Sequence, residues 1–255
     1  MDIREFRGWL FDIEGVLLDG PAVLQPNIDF VRALIERHVP VLFVTNTVMR
    51  SKDELMKRFT LAGLPISIDQ IVTPIDVACE WLIQRHIKKI HVVAPKPIQN
   101  AFSLFQLDES GEALIIGDFG TNWQYRELNH AFQWMMLHPD WPVLALGGGR
   151  YYRRQQQWFL DLGAFTQALS WAANKTIQNC GKPDRLIFET AVRKLGFKAS
   201  EVVMVGDDYA SDVNAAIAAG CHGILVRSGK YRVRDENRLV KEAMCIDSLS
   251  SFSSF

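Results

Sequence analysis

Cysteine is scarce in this chain. Cys79, Cys180, Cys221 and Cys245 are widely separated and form no C-x-x-C pair, so the 255-residue sequence has neither a zinc ribbon nor a disulfide framework. They read as reduced, mostly buried thiols. A charge surplus is lacking too: 28 basic residues face 29 acidic ones for a net −1, which argues against nucleic acid and membrane surfaces as partners. No apolar run nears the ~18 residues of a membrane span. Met1 to Arg7 carry charges where a secretory peptide needs an apolar stretch, so a cytoplasmic protein is expected. The six histidines show no H-x-H or H-E-x-x-H spacing, and no G-x-x-x-x-G-K-[ST] nucleotide cradle occurs. No repeat of fixed period is evident.

What is present is a set of apolar runs, each followed at once by polar residues. Trp9-Leu10-Phe11 precedes Asp12, Ile13 and Glu14; Val41-Leu42-Phe43-Val44 precedes Thr45 and Asn46; Val202 to Gly206 precedes Asp207 and Asp208, with Asp212 beyond. Gly181-Lys182-Pro183 adds a cation. Continuous apolar runs read as buried parallel strands, and the residues behind them lie in the crevice at the strands' carboxyl ends, where open α/β sheets bind ligands. Acids, a hydroxyl and a lysine gathered there suit a phosphoryl group and a magnesium ion.

Between strands, helical spacing recurs, as in Ile28, Val31, Leu34 and Ile35. Ser51 with Glu54 forms a capping box, placing a helix from Ser51 to about Ala62 with its positive end toward the crevice. A second alternating series follows, with strands at Ile90–Ala94, Ala113–Gly117 and Val143–Gly147 and helices at about Trp123–Leu137 and Arg153–Ala173. From Gly181 the earlier pattern resumes, with a helix at about Arg185–Leu195, the strand ending at Asp207 and a helix up to Gly220. The expected architecture is α/β: a Rossmann-like three-layer core formed by 1–74 and 177–255, interrupted by an α/β lid at 75–176. Gly147-Gly148-Gly149-Arg150-Tyr151-Tyr152 reads either as a specificity loop closing over the core or as a turn with packed tyrosines. The serine-rich tail Ser248–Phe255 is expected to fray or to be held weakly by its phenylalanines.

These motifs, in this order and with the lid in this gap, resemble the haloacid-dehalogenase-like hydrolase superfamily, specifically its NagD-like subfamily. Asn122 to Phe132, Gly147 to Tyr152 and Val205 to Asp208 are most similar to the phospholysine-phosphohistidine-inorganic-pyrophosphate phosphatase branch. The resemblance implies a magnesium-dependent phosphatase acting on a small phosphorylated substrate. Asp12 would be the nucleophile that forms an aspartyl-phosphate. Asp12, Asp207 and the backbone carbonyl of Glu14 would hold Mg²⁺. Thr45, Asn46 and Lys182 would bind substrate, with Arg150 added from the glycine loop; Asp208 and Asp212 would hold metal waters or orient Lys182, and Asp208 reads alternatively as a plain helix-start acid.

Glu14 departs from the family pattern, which places an aspartate there as general acid and base. Glutamate reaches about 1.5 Å further, where a 1 Å displacement can cost ~10² in rate. Two readings stay open: a site adjusted to the longer acid, or one that depends little on it. A leaving group that is easy to expel asks less of an enzymic acid. A catalytically weak phosphate-binding or regulatory protein is the alternative function, and a phospho-receiver domain is disfavoured by the order of its acids. Apolar lid surface would suit a homodimer.

Overall fold

The computed structural model describes residues 5–154 and 157–252, which form two compact units. The first comprises 1–45, 50–72 and 183–255, and the second 46–49 and 73–182.

The first unit is built on a six-stranded sheet in the order Met244–Ile246, His222–Val226, Val202–Gly206, Gly8–Phe11, Val41–Val44, Ile71–Val72. Every pairing in it is parallel. Trp9, Leu10, Phe11 and Phe43 are fully buried, which explains why these strands read as unbroken apolar runs. Trp9 stacks on Phe11 at 5.7 Å, and Phe43 packs on Phe59 of the helix Lys52–Leu61 at 4.8 Å. That helix starts at the expected capping box: Ser51 accepts from the Glu54 amide, and Glu54 accepts from the Ser51 amide. Register aligns the strand ends. Phe11 pairs with both Phe43 and Val205, and the Asp12 amide donates to the Val205 carbonyl at 2.9 Å. Asp12, Thr45 and Asp207 therefore leave three adjacent strands at the same edge. The strand Gly8–Phe11 is the switch point, since later strands are added on both of its sides.

The second unit carries its own parallel five-stranded sheet, ordered Gln178–Asn179, Val143–Ala145, Leu114–Ile116, Lys89–Val93, Gln106–Leu107. The helix Tyr125–Leu137 buries Ala131, Trp134 and Met135. The expected helix from Arg153 to Ala173 is corrected by the structure. Tyr151–Arg154 and Gln157–Leu160 form an antiparallel hairpin, and only Leu162–Ala173 is helical. The aromatics explain it: Tyr151 meets Trp158 at 5.2 Å and Tyr152 stacks on Phe159 at 5.3 Å, cross-strand pairs that a helix would separate. Asp161 then caps the shorter helix by accepting from the Leu162 amide.

Another difference follows Asp207. The chain first makes a wide π-type turn, Tyr209–Asn214, and becomes α-helical only at Ala215–Ala218. Such turns are frequent at functional sites. At the tail, Leu249 is buried and Phe252 packs on Phe30 at 5.8 Å, whereas residues 253–255, like Met1 to Arg4, lie outside the described residues. All four cysteines are free, with Cys180 and Cys221 buried; burial pushes the Cys221 thiol up to about 11.

Candidate active site

Asp12, Asp207 and Asp212 converge at the carboxyl edge of the first unit's sheet. One carboxylate oxygen from each lies within 4.8 Å of the others, and all three residues are buried. Among the described residues no other cluster of three metal-ligating side chains forms. Three buried like charges repel one another. Burial first, then Asp12, then Asp212 push the Asp207 carboxyl up to about 8, against the opposing pull of the Lys230 amide and charge.

The Asp207 carboxylate is held from one side only. Its Oδ2 accepts from the Lys230 amide at 2.6 Å, while its buried Oδ1 accepts no hydrogen bond. Gly15 and Gly229, both at positive φ, bring the backbone against it. A Cβ on Gly15 would lie 1.9 Å from Asp207 Oδ2, and one on Gly229 would lie 2.1 Å from it. Ser228 Oγ donates to the Gly15 carbonyl at 2.6 Å and ties the two loops together. An orphaned buried carboxylate oxygen beside two further acids fits a hard divalent cation, which prefers oxygen donors and relieves the repulsion.

Asp208 is placed differently. Its Oδ1 accepts from the Ala210 and Ser211 amides and caps the wide turn, and its own amide donates to Asp212 Oδ2 at 3.2 Å. Burial works against its charge, but those amides and the Lys230 charge outweigh burial and hold its carboxyl below the usual range.

Thr45 is buried at its strand end, where its amide donates to the Val72 carbonyl at 3.1 Å. Glu14 lies two residues beyond Asp12, and its side chain is turned to two arginines. Arg50 Nη1 and Arg58 Nη1 each donate to Glu14 Oε1 at 2.6 Å. No reading of the sequence singled out Arg50, Arg58, Lys230 or Gly229; their only signal is charge or glycine, in loops or, for Arg58, in a helix, that tertiary structure brings to the acids.

Asn46 and Lys182 belong to the second unit. The Asn46 carboxamide bonds the Lys182 backbone in both directions, donating to its carbonyl at 2.8 Å and accepting from its amide at 2.7 Å. Asn46 is thus engaged in fixing the chain around Lys182, whose residue is itself buried. Arg150 is exposed at the end of the glycine loop. The backbone there closes within its own unit: Gly163 N donates to Gly149 O at 2.9 Å and Asp161 N to Arg150 O at 3.2 Å. Trp123 is half-buried between Phe119 and Phe165 and donates to Asp118 Oδ1 at 3.1 Å.

A parallel α/β sheet with a carboxylate cluster at its switch point defines a class of protein that works on ligands at strand ends, here with an acid-lined cation site. Comparison with known proteins narrows the class. A haloacid dehalogenase-like hydrolase model matches residues 9–107, and a HAD-hydrolase-like model matches residues 179–252. The phospholysine phosphohistidine inorganic pyrophosphate phosphatase of Homo sapiens is 32% identical over 251 residues, covering 96% of this chain and 92% of that protein. The haloacid dehalogenase-like hydrolase domain-containing protein 2 of Bos taurus is 32% identical over 236 residues, covering 92% of this chain and 90% of that protein. In fold, the chain matches a p-nitrophenyl phosphatase from Archaeoglobus fulgidus with a TM-score of 0.87 at 21% identity, covering 98% of each chain. NagD from E. coli K-12 matches with a TM-score of 0.83 at 20% identity, covering 95% of this chain and 96% of that one. The chain belongs to the haloacid dehalogenase-like hydrolase family.

Proposed function

We propose that the protein is a magnesium-dependent phosphatase that works through an aspartyl-phosphate on Asp12. The observation that carries this reading is the meeting within 4.8 Å of Asp12 and Asp207, at the ends of adjacent strands, and Asp212, in the wide turn that follows. The human relative, 32% identical over 96% of this chain and named for phosphatase activity, supports it.

Asp12, Asp207 and Asp212 would hold the ion, with the Glu14 carbonyl as a further oxygen. The bound ion supplies charge neutralisation for the phosphoryl oxygens and for the acids around it. The residues do the rest. Asp12 attacks phosphorus while Thr45 holds a phosphoryl oxygen, and Lys182 is assigned the balancing positive charge. Asp208 keeps the wide turn in place and so keeps Asp212 in the cluster. Arg150 is assigned to substrate choice. The relatives' names make phospholysine, phosphohistidine and pyrophosphate the first substrates to try.

We place the protein in the cytoplasm; no helix among the described residues is long and apolar enough to cross a membrane. A homodimer is proposed on the second unit's exposed apolar side chains, Tyr151, Trp158, Leu160 and Trp171. The phosphatase reading is tested by a screen with magnesium over phosphoramidates, pyrophosphate, sugar phosphates and nucleotides, with wild type beside Asp12→Asn. Hydrolysis by wild type that Asp12→Asn abolishes is expected. Equal rates in the two would overturn the reading.

A further inference from the structure

Glu14 occupies the position from which a family member delivers a proton, yet its carboxylate is engaged by two arginines. Its Oε1 is bracketed by the guanidinium groups of Arg50 and Arg58, each at 2.6 Å. Arg50 directly precedes Ser51, the cap of the helix Lys52–Leu61, and Arg58 lies within that helix. Arg58 also donates through Nη2 to the carbonyl of Gly20, in the turn of the small hairpin formed by Leu18–Asp19 and Ala22–Val23. The loop after Asp12 is tied to the same hairpin, with the Gly15 amide donating to the Leu18 carbonyl at 2.6 Å. The nucleophile loop and the helix therefore meet on one carboxylate, and Arg58 carries the link on to the hairpin.

A general acid needs a proton on an oxygen that reaches the leaving atom. Bringing Glu14 Oε1 to a leaving atom would mean turning the side chain away from both guanidinium groups and giving up two charge-assisted hydrogen bonds. Exposure of a fifth to a half of these side chains moderates the strength of each pair without altering the geometry.

We propose that Glu14 is a positioning residue, clasping the loop that carries Asp12 to the helix Lys52–Leu61 through Arg50 and Arg58, and that it gives no proton to the leaving group. The inference rests on the phosphatase reading and adds a substrate class to it: phosphate esters whose leaving group departs as a stable anion. In the first step an Asp12 oxygen bonds to phosphorus and the bond from phosphorus to the leaving oxygen breaks. The leaving oxygen keeps the electron pair and takes its proton from water. In the second step water attacks phosphorus, the bond to Asp12 breaks, inorganic phosphate forms, and the surplus proton passes to solvent.

The test measures kcat and KM for phosphate monoesters graded from aryl to alkyl leaving groups, in wild type, Glu14→Gln, Arg58→Met and the double variant. The expected result is a uniform loss of about 10-fold in kcat across the series for Glu14→Gln, with KM and the leaving-group dependence unchanged. Arg58→Met should reproduce it, and the double variant should lose no more than the worse single. A loss in Glu14→Gln that is ~10² or more greater for alkyl than for aryl esters would identify a proton donor and overturn the proposal. Failure of the phosphatase reading looks different, with wild type and Asp12→Asn equally inactive on every ester. Thermal unfolding of the same four proteins then decides the clasp: destabilisation that is less than additive supports it, and additive destabilisation overturns it.

Discussion

Asp207 concentrates the chemistry of the site on one side chain. Its carboxyl is raised from the ordinary 3.8 to about 8 by burial, Asp12 and Asp212. The metal-free folded chain therefore keeps a proton that the unfolded chain has released. That contribution to stability is fully present below about pH 4 and is lost as pH rises through about 8. Asp207→Asn removes the penalty, so the metal-free variant should gain on wild type as pH rises from 4 to 8. A gain of at least about 2–4 °C in unfolding midpoint at pH 8 is expected, with phosphatase activity abolished. A wild type that gains on the variant with rising pH would show that the acids do not repel one another. Gly229→Ala makes a steric prediction at the same residue. A methyl 2.1 Å from Asp207 Oδ2 must displace it, so activity should fall by ~10² or more through misplacement of the acid. Unchanged kcat would mean that the Asp207 position is immaterial.

At the scale of elements, the helix Lys52–Leu61 supports both the proposed clasp and the core. Ser51→Ala breaks its capping box and should cost about 1 kcal/mol, or 2–4 °C in melting temperature, read by circular dichroism. This helix was legible in the sequence because a capping box is local, as were the strands before Asp12, Thr45 and Asp207, where burial on both faces leaves an unbroken apolar run. The hairpin Tyr151–Leu160 was not. Its aromatics satisfy helical spacing as well, and only pairing across the hairpin separates the two forms. Nor was the Glu14 cluster legible, because its arginines lie 36 and 44 positions away in the chain. The resemblance implies an accessory role for Asp212; the wide turn Tyr209–Asn214 brings its carboxylate into the cluster, a consequence of π-type winding that the sequence does not report.

For the whole molecule, the proposed homodimer is checked by sedimentation velocity. A species of twice the chain mass is expected, converted to monomer by Trp171→Glu with Trp158→Glu; a wild type that is monomeric across micromolar concentrations would contradict it. The central claim is that three carboxylates separated in the sequence form one cation site, and isothermal titration calorimetry tests it most directly. Magnesium titrated into the full-length chain at pH 8 should bind one ion per chain in wild type, and no binding should be detected in Asp12→Asn or Asp207→Asn. Equal magnesium binding by wild type and both variants, all folded, would contradict it.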